Sequence, residues 1–293
     1  MKLSDDFYKL VEEKDYLNHV LYSDTDSIYI CVPTNLKDVS IENKIKLAKI
    51  VSKDINDLIQ EYLTTDYFKR ANIDVKNNYT DFKTEVIMSS IMFIPNVKKQ
   101  YAYKTIVKDH RVLNEPKVDY KGIQVVRVDA TKLGIKLLKE VIENIVLNSE
   151  IEKKDKIKHC LNVVNDIHNE FLECCENFKF ESIGISGRWS KDNTVINSML
   201  VYNFIFNDNV FLPGSSGKFV YCKFNDINKF KNLNVDLKKI NAVSIPFSFN
   251  PEKIKEKFKE FGITLDIESQ WDRIYTTTCQ RIVDLVKQEG QNV

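Results

Sequence analysis

The chain has 293 residues, of which 43% are hydrophobic and 29% charged, with a formal net charge of +1. These figures describe an ordinary globular protein with room for one large domain or two modest ones. They exclude a strongly basic protein on average, while leaving local charge asymmetry open. No apolar run approaches the roughly 18 residues that cross a bilayer. The opening MKLSDDFYKL has no signal-peptide hydrophobic region. The six cysteines form no CxxC pair and no disulfide framework, which fits a reducing, cytoplasmic compartment and no membrane partner.

In chain order, residues 1–20 carry helical spacing at Phe7, Leu10 and Val11. The run VLYSDTDSIYICVP (20–33) is rich in Val, Ile and Tyr and stops at Pro33, which predicts a strand or hairpin. Residues 41–63 place Ile41, Ile45, Ala48, Ile55, Ile59 and Leu63 on one helical stripe. After a loop at Asn77–Asn78 come two β-rich stretches, DFKTEVIMSSIMFI and VKKQYAYKTIV, joined by a turn at Pro95–Asn96. YKGIQVVRV (120–128) reads as another strand. Residues 131–148 and 151–178 read as two helices, and 181–249 as a mixed segment. NPEKIKEKFKEFG offers Asn250 as N-cap, Pro251 at the first helical position and Gly262 past the end. A last helix is predicted over about 265–287. A boundary near 130 separates an α/β half from a helix-rich half.

Charge is unevenly spread. Residues 1–30 hold three Lys against seven Asp or Glu, and residues 98–140 hold eleven Lys or Arg against five acids. Such a pattern suits metal ions held in one place and a polyanion backbone in another. Within the acidic segment, Asp24 and Asp26 share a face if the strand runs through them, and project beyond the sheet if they sit on a hairpin tip. Two carboxylates this close repel, and one keeps its proton unless a cation offsets them. A hard divalent ion that leaves sites for water and phosphate oxygens answers that need, which makes the pair half of a phosphoryl-transfer metal site. The plainer alternative is a polar β-turn.

YSDTDS (Tyr22–Ser27) resembles the YGDTDS signature of family B (α-like) DNA polymerases, the palm hairpin bearing catalytic aspartates. Two more motifs follow in the family's order. KKQY (Lys98–Tyr101) resembles its KKxY, and KGIQVVRVD (Lys121–Asp129) resembles its KGxxxVRRD run at the start of the thumb. INSMLVYNFIF (196–206) is a weaker likeness to a thumb segment.

The resemblance implies an α/β (α+β) fold. Residues 1–130 would be the C-terminal half of a palm, an antiparallel sheet with helices carrying the catalytic hairpin and the KKxY strand. Residues 131–293 would be a largely helical thumb. It implies a DNA-directed DNA polymerase working by two-metal nucleotidyl transfer with Mg²⁺ and no organic cofactor. Asp26 matches the motif's metal ligand, Asp24 the more variable neighbouring carboxylate, and Glu85 an accessory palm glutamate. Lys98, Lys99 and Tyr101 would grip the primer strand, with Lys121, Gly122 and Arg127 adding backbone contacts; such contacts position DNA without reading sequence. As plainer alternatives, Lys98–Lys99 is a solvated pair, and Tyr101 and Tyr103 are packing residues.

The sequence also departs from the family. Ser23 stands for the motif's glycine, Gln100 for a basic residue and Val128 for the second arginine, the last two weakening the grip on duplex. No stretch reads as the family's DxxSLYP or KxxxNSxYG, or as an exonuclease. The expectation is therefore the smaller chain of a split, phage-type replicative polymerase, located in the host cytoplasm. An N-terminal polypeptide would supply fingers, the rest of the palm and any proofreading site. Primer–template DNA and deoxynucleoside triphosphates would be its ligands, and a sliding clamp or other replisome protein a further partner. The competing reading is a non-catalytic DNA-binding or scaffold protein derived from a polymerase. His159, Cys160, His168, Cys174 and Cys175 fit helix packing better than zinc, their spacing matching no usual knuckle. PGSSGK (213–218) reads as a strand-to-strand turn, and Trp189 and Trp271 as core or interface anchors rather than base-stacking platforms.

Overall fold

The computed structural model describes residues 20–23, 27–31, 40–78, 83–94, 97–123, 125, 130–190, 193–233, 235–236 and 239–291. The predicted N-terminal helical spacing and the Pro95–Asn96 turn lie outside them. The fold is mixed α/β with antiparallel sheets. Two compact units share the chain: residues 1–89 with 104–117, and residues 90–103 with 118–293.

In the first unit, strand β1 (Val20–Ser23) pairs antiparallel with β2 (Ile28–Ile30), with Tyr22 opposite Tyr29 and Ser23 opposite Ile28. The two tyrosine rings meet edge-on at 5.6 Å, so the predicted strand or hairpin is a hairpin. Helix α1 (Ile41–Tyr62) starts at Ser40, whose hydroxyl accepts from the Asn43 amide at 3.4 Å. It runs on through a π-turn (Leu63–Tyr67) into α2 (Phe68–Ala71), where Asn72 turns the chain with φ 55°. The predicted inward stripe is only half-buried and Ile41 is exposed. Leu47, about a third of a turn away, is the buried residue. The helix therefore lies shallowly, with Thr84 donating its hydroxyl to the Ala48 carbonyl at 3.1 Å.

Strands β3 (Val86–Phe93), β4 (Tyr101–Lys108) and β5 (Arg111–Lys121) form a sheet in that order and contribute to both units. Asp109 and His110 join β4 to β5 with φ of 49° and 62°, a two-residue turn of the kind that matches strand twist. Most of β5 escapes sequence reading because RVLNEPKVDYK lacks alternation and contains Pro116. As an edge strand it tolerates the missing N–H. The expected strand over 120–128 is corrected: β5 ends at Lys121, and Gly122, with φ 63°, turns the chain out of the sheet.

The second unit holds the main core. Helix α3 (Lys132–Val141), capped by Thr131, continues as a π-turn over Ile142–Val146. Leu137, Leu138, Val141 and Ile142 are wholly buried there. Helix α4 (Lys153–Glu176) packs beside it, and both confirm the predicted helices. A short helix α5 (Phe180–Ile183), strand β6 (Ile185–Arg188), helix α6 (Asn193–Phe206), and strands β7 (Ser216–Phe224) and β8 (Ala242–Ile245) follow. β7 lies between β6 and β8, antiparallel to both. Ser198 of α6 and Ser244 of β8 share a buried hydrogen bond of 2.7 Å. PGSSGK therefore links a helix to a strand, not two strands.

Helix α7 (Pro251–Phe261) has the predicted ends: the Asn250 side chain accepts from the Lys253 amide at 3.2 Å, and Gly262 has φ 69°. Strand β9 (Ile263–Leu265) then joins β7. The predicted closing helix is two helices, α8 (Ile267–Ile274) and α9 (Gln280–Gln291). A turn over 275–279 intervenes, where the Thr277 and Thr278 hydroxyls donate to the Arg273 and Ile274 carbonyls. Side chains that bond the backbone four residues back compete with helix continuation.

Candidate nucleic-acid interface

Asp24 and Asp26 stand in the chain between the paired residues Ser23 and Ile28 and lie outside the described residues, as does Arg127. Glu85 is exposed just ahead of β3, where its carbonyl accepts from the Asp109 amide at 2.9 Å. Among the described residues no group of three or more His, Cys, Asp or Glu side chains could hold a metal ion.

The basic motifs are described, and the fold brings them into contact. Lys98 and Lys99 are exposed and occupy the turn before β4, with Lys99 in the left-handed region at φ 60°. The turn closes through the Ile94 amide, which donates to the Gln100 carbonyl at 2.9 Å. Lys121 is exposed at the end of β5. Next to it, Gly122 lies so close to the turn that a Cβ there would fall 2.4 Å from the Lys99 carbonyl oxygen and 3.1 Å from Cγ of Gln100. Glycine is required twice here, for the positive φ and for the approach. Three exposed lysines, from segments 22 residues apart in sequence, thus lie in the chain beside one backbone contact. Ile123 is buried behind them, and Val125 packs against the core.

Tyr101 is buried, its ring centroid 5.6 Å from Phe93 and 6.1 Å from Tyr103. The ring thus packs among aromatic neighbours on the sheet, at the residue that follows the lysine turn.

The sequence model of DNA polymerase family B matches residues 2–201. The chain belongs to DNA polymerase family B. No match was found among curated proteins. Family B membership carries the general function, a DNA polymerase and nucleotidyltransferase of DNA replication that acts on DNA and deoxynucleoside triphosphates, with Mg²⁺ as the family's usual metal. The matched range spans the hairpin, the KKQY turn and the KGI turn together.

Of the remaining polar signals of this family B chain, His159 is exposed and His168 half-buried, while the cysteines of the same helix lie in the interior. Cys160, Cys174, Cys175, Cys222 and Cys279 are buried. Burial pushes the Cys160 thiol up to about 11 and Cys175 up to about 12, and raises Cys222 and Cys279 further. Such thiols stay protonated and inert. His168 packs edge-on against Trp271 at 4.6 Å, and Trp271 on Phe171 at 5.3 Å. Gln270, 1% exposed, accepts from the Tyr221 amide at 2.9 Å and donates to the Ile183 carbonyl at 2.5 Å. Nothing in the helical spacing marks Gln270 as buried, since its value lies in pairing backbone groups from β7 and α5. No helix among the described residues is long and apolar enough to cross a membrane.

Proposed function

We propose that the chain is the C-terminal palm-and-thumb subunit of a DNA-directed DNA polymerase. In this reading residues 1–130 form the partial palm and 131–293 the thumb. Lys98, Lys99, Lys121 and Arg127 grip the primer–template backbone, Gly122 fixes their arrangement, and Tyr101 supports it. The observation that carries the reading is the contact between Gly122 and the Lys99 carbonyl, which joins two motifs of the family order into one cationic surface. Lysines mounted on neighbouring turns bind phosphates whatever the sequence, as a polymerase must.

Asp26 and Asp24 would hold Mg²⁺, with Glu85 as an accessory ligand. Two carboxylates one residue apart form a donor set suited to a hard cation that keeps phosphate and water ligands. When bound, the metal neutralises charge on the triphosphate and lowers the pKa of the primer hydroxyl. A partner polypeptide would contribute the DxxSLYP and KxxxNSxYG segments.

Binding to a labelled primer–template across a salt series tests the grip. K98A/K99A/K121A should reduce the slope of log K against log salt by about 2.7, from roughly 0.9 for each phosphate that no lysine neutralises any longer. A wild-type slope would refute it. For catalysis, primer extension by the complex with the partner should be lost in Asp26→Ala. Full activity of that mutant complex would sink the assignment. Primer extension by the isolated chain would refute the need for a partner.

A further inference from the structure

The lysine turn rests on a sheet whose two outer strands are tied to one helical turn. Ser90 of β3 donates its hydroxyl to the Leu147 carbonyl at 3.0 Å. Tyr120 of β5 donates its hydroxyl to Oε1 of Glu143. Glu143 and Leu147 are four residues apart, at the start of the π-turn and just after its end, where the Leu147 amide bonds the Ile142 carbonyl at 2.9 Å. β4, which follows the lysine turn and carries buried Tyr101, Ala102 and Tyr103, lies between the two tied strands. Tyr120 immediately precedes Lys121 and Gly122. Its ring is half-buried against the core, so the hydroxyl has a fixed direction.

We infer that Tyr120 and Glu143 are positioning residues for DNA binding: their hydrogen bond holds the end of β5, and through Gly122 the Lys98–Lys99 turn, at the spacing that duplex phosphates require. This inference rests on the cationic surface being the DNA grip. The physical case is one of preorganisation. Ammonium groups on flexible stems gain affinity when their backbone mounts are fixed before binding, because less ordering remains to be done. Without the bond, Lys121 stays charged and exposed, yet its mount is free to shift relative to helix α3. What the tie needs is an acceptor oxygen at a fixed place on the π-turn, which the Glu143 side chain supplies.

The test uses the full chain and a fluorescein-labelled hairpin primer–template, with binding followed by anisotropy well below the unfolding temperature and the folded fraction checked by circular dichroism. Y120F keeps the ring and removes the donor, E143A removes the acceptor, and E143Q keeps an amide oxygen that still accepts. Y120F and E143A are each expected to weaken binding about five- to tenfold, with the double variant no weaker than either. E143Q should bind within about twofold of wild type, and the salt slope should hold in all of them because the lysines remain. Wild-type affinity in Y120F and E143A, alongside loss of binding by K98A/K99A/K121A, overturns the positioning role and leaves the grip standing. Weakening in E143Q equal to that in E143A also overturns it, since restoring an acceptor oxygen would then restore nothing. Wild-type affinity in the triple lysine variant refutes the underlying grip and the positioning role with it.

Discussion

Gly122→Ala is the most direct probe of the contact that joins the two basic motifs. Two effects add. A side chain at φ 63° costs about 1–2 kcal/mol. The new methyl would also sit 2.4 Å from the Lys99 carbonyl oxygen, about 0.9 Å inside the closest ordinary C···O contact. The obstacle is backbone, so the turn itself must move, at about 1–3 kcal/mol by analogy with overpacked cores. The sum, roughly 2–5 kcal/mol, is a large share of a stability of about 5–15 kcal/mol. Gly262→Ala is the matched control: its φ is 69°, but nothing lies closer than 3.7 Å, so only the backbone term of about 1–2 kcal/mol applies. Urea unfolding of the three proteins measures both, and the excess of Gly122→Ala over Gly262→Ala isolates the contact. Duplex affinity should fall about tenfold in Gly122→Ala and hold in Gly262→Ala. Equal stability losses, or an unchanged affinity in Gly122→Ala, would refute the docking of the KGI segment on the lysine turn.

Further expectations can be checked with the same preparations. Gln270→Leu leaves the Tyr221 amide and Ile183 carbonyl buried without their partner, and should lower urea stability by about 2–4 kcal/mol. Asn250→Ala removes the cap on the Lys253 amide, a loss of about 1 kcal/mol that Asn250→Asp should largely restore. Native protein should react with a thiol reagent at exposed Cys31 and spare the five buried cysteines until it unfolds. Alkaline pH should also destabilise the fold. Unfolded thiols ionise above their ordinary 9.0, while folded Cys160 and Cys175 hold their protons to about 11 and 12. The unfolded state therefore binds fewer protons in this window, and stability falls as pH rises from about 9 to 11, by about 1.4 kcal/mol per unit for each thiol. C160A/C175A, measured from its own pH 8 value, should show a shallower fall; an identical slope would count against the assigned thiols.

The sequence by itself determined the family and most of the helices, because those signals are local. The cap at Asn250, the stop at Gly262 and the 3.6-residue periodicity of 131–148 act within a few residues and need no tertiary partner. The order YSDTDS, KKQY, KGIQVVRVD is likewise a one-dimensional fact. Tertiary structure decided what the chain does with its ambiguous polar stretches. β5 exists because an edge position accepts Pro116, and no pattern in RVLNEPKVDYK announces it. Leu47, not the Ile stripe, is the buried residue of α1, since burial depends on where a neighbour lies as well as on period. The single helix expected at the end broke where threonine hydroxyls take up helix carbonyls. The cationic surface itself was half legible: sequence supplied its lysines, and only the fold set Gly122 against Lys99 and tied Tyr120 to Glu143. Those pairings span 23 residues each, and meetings between distant segments are fixed by packing, which local sequence does not encode.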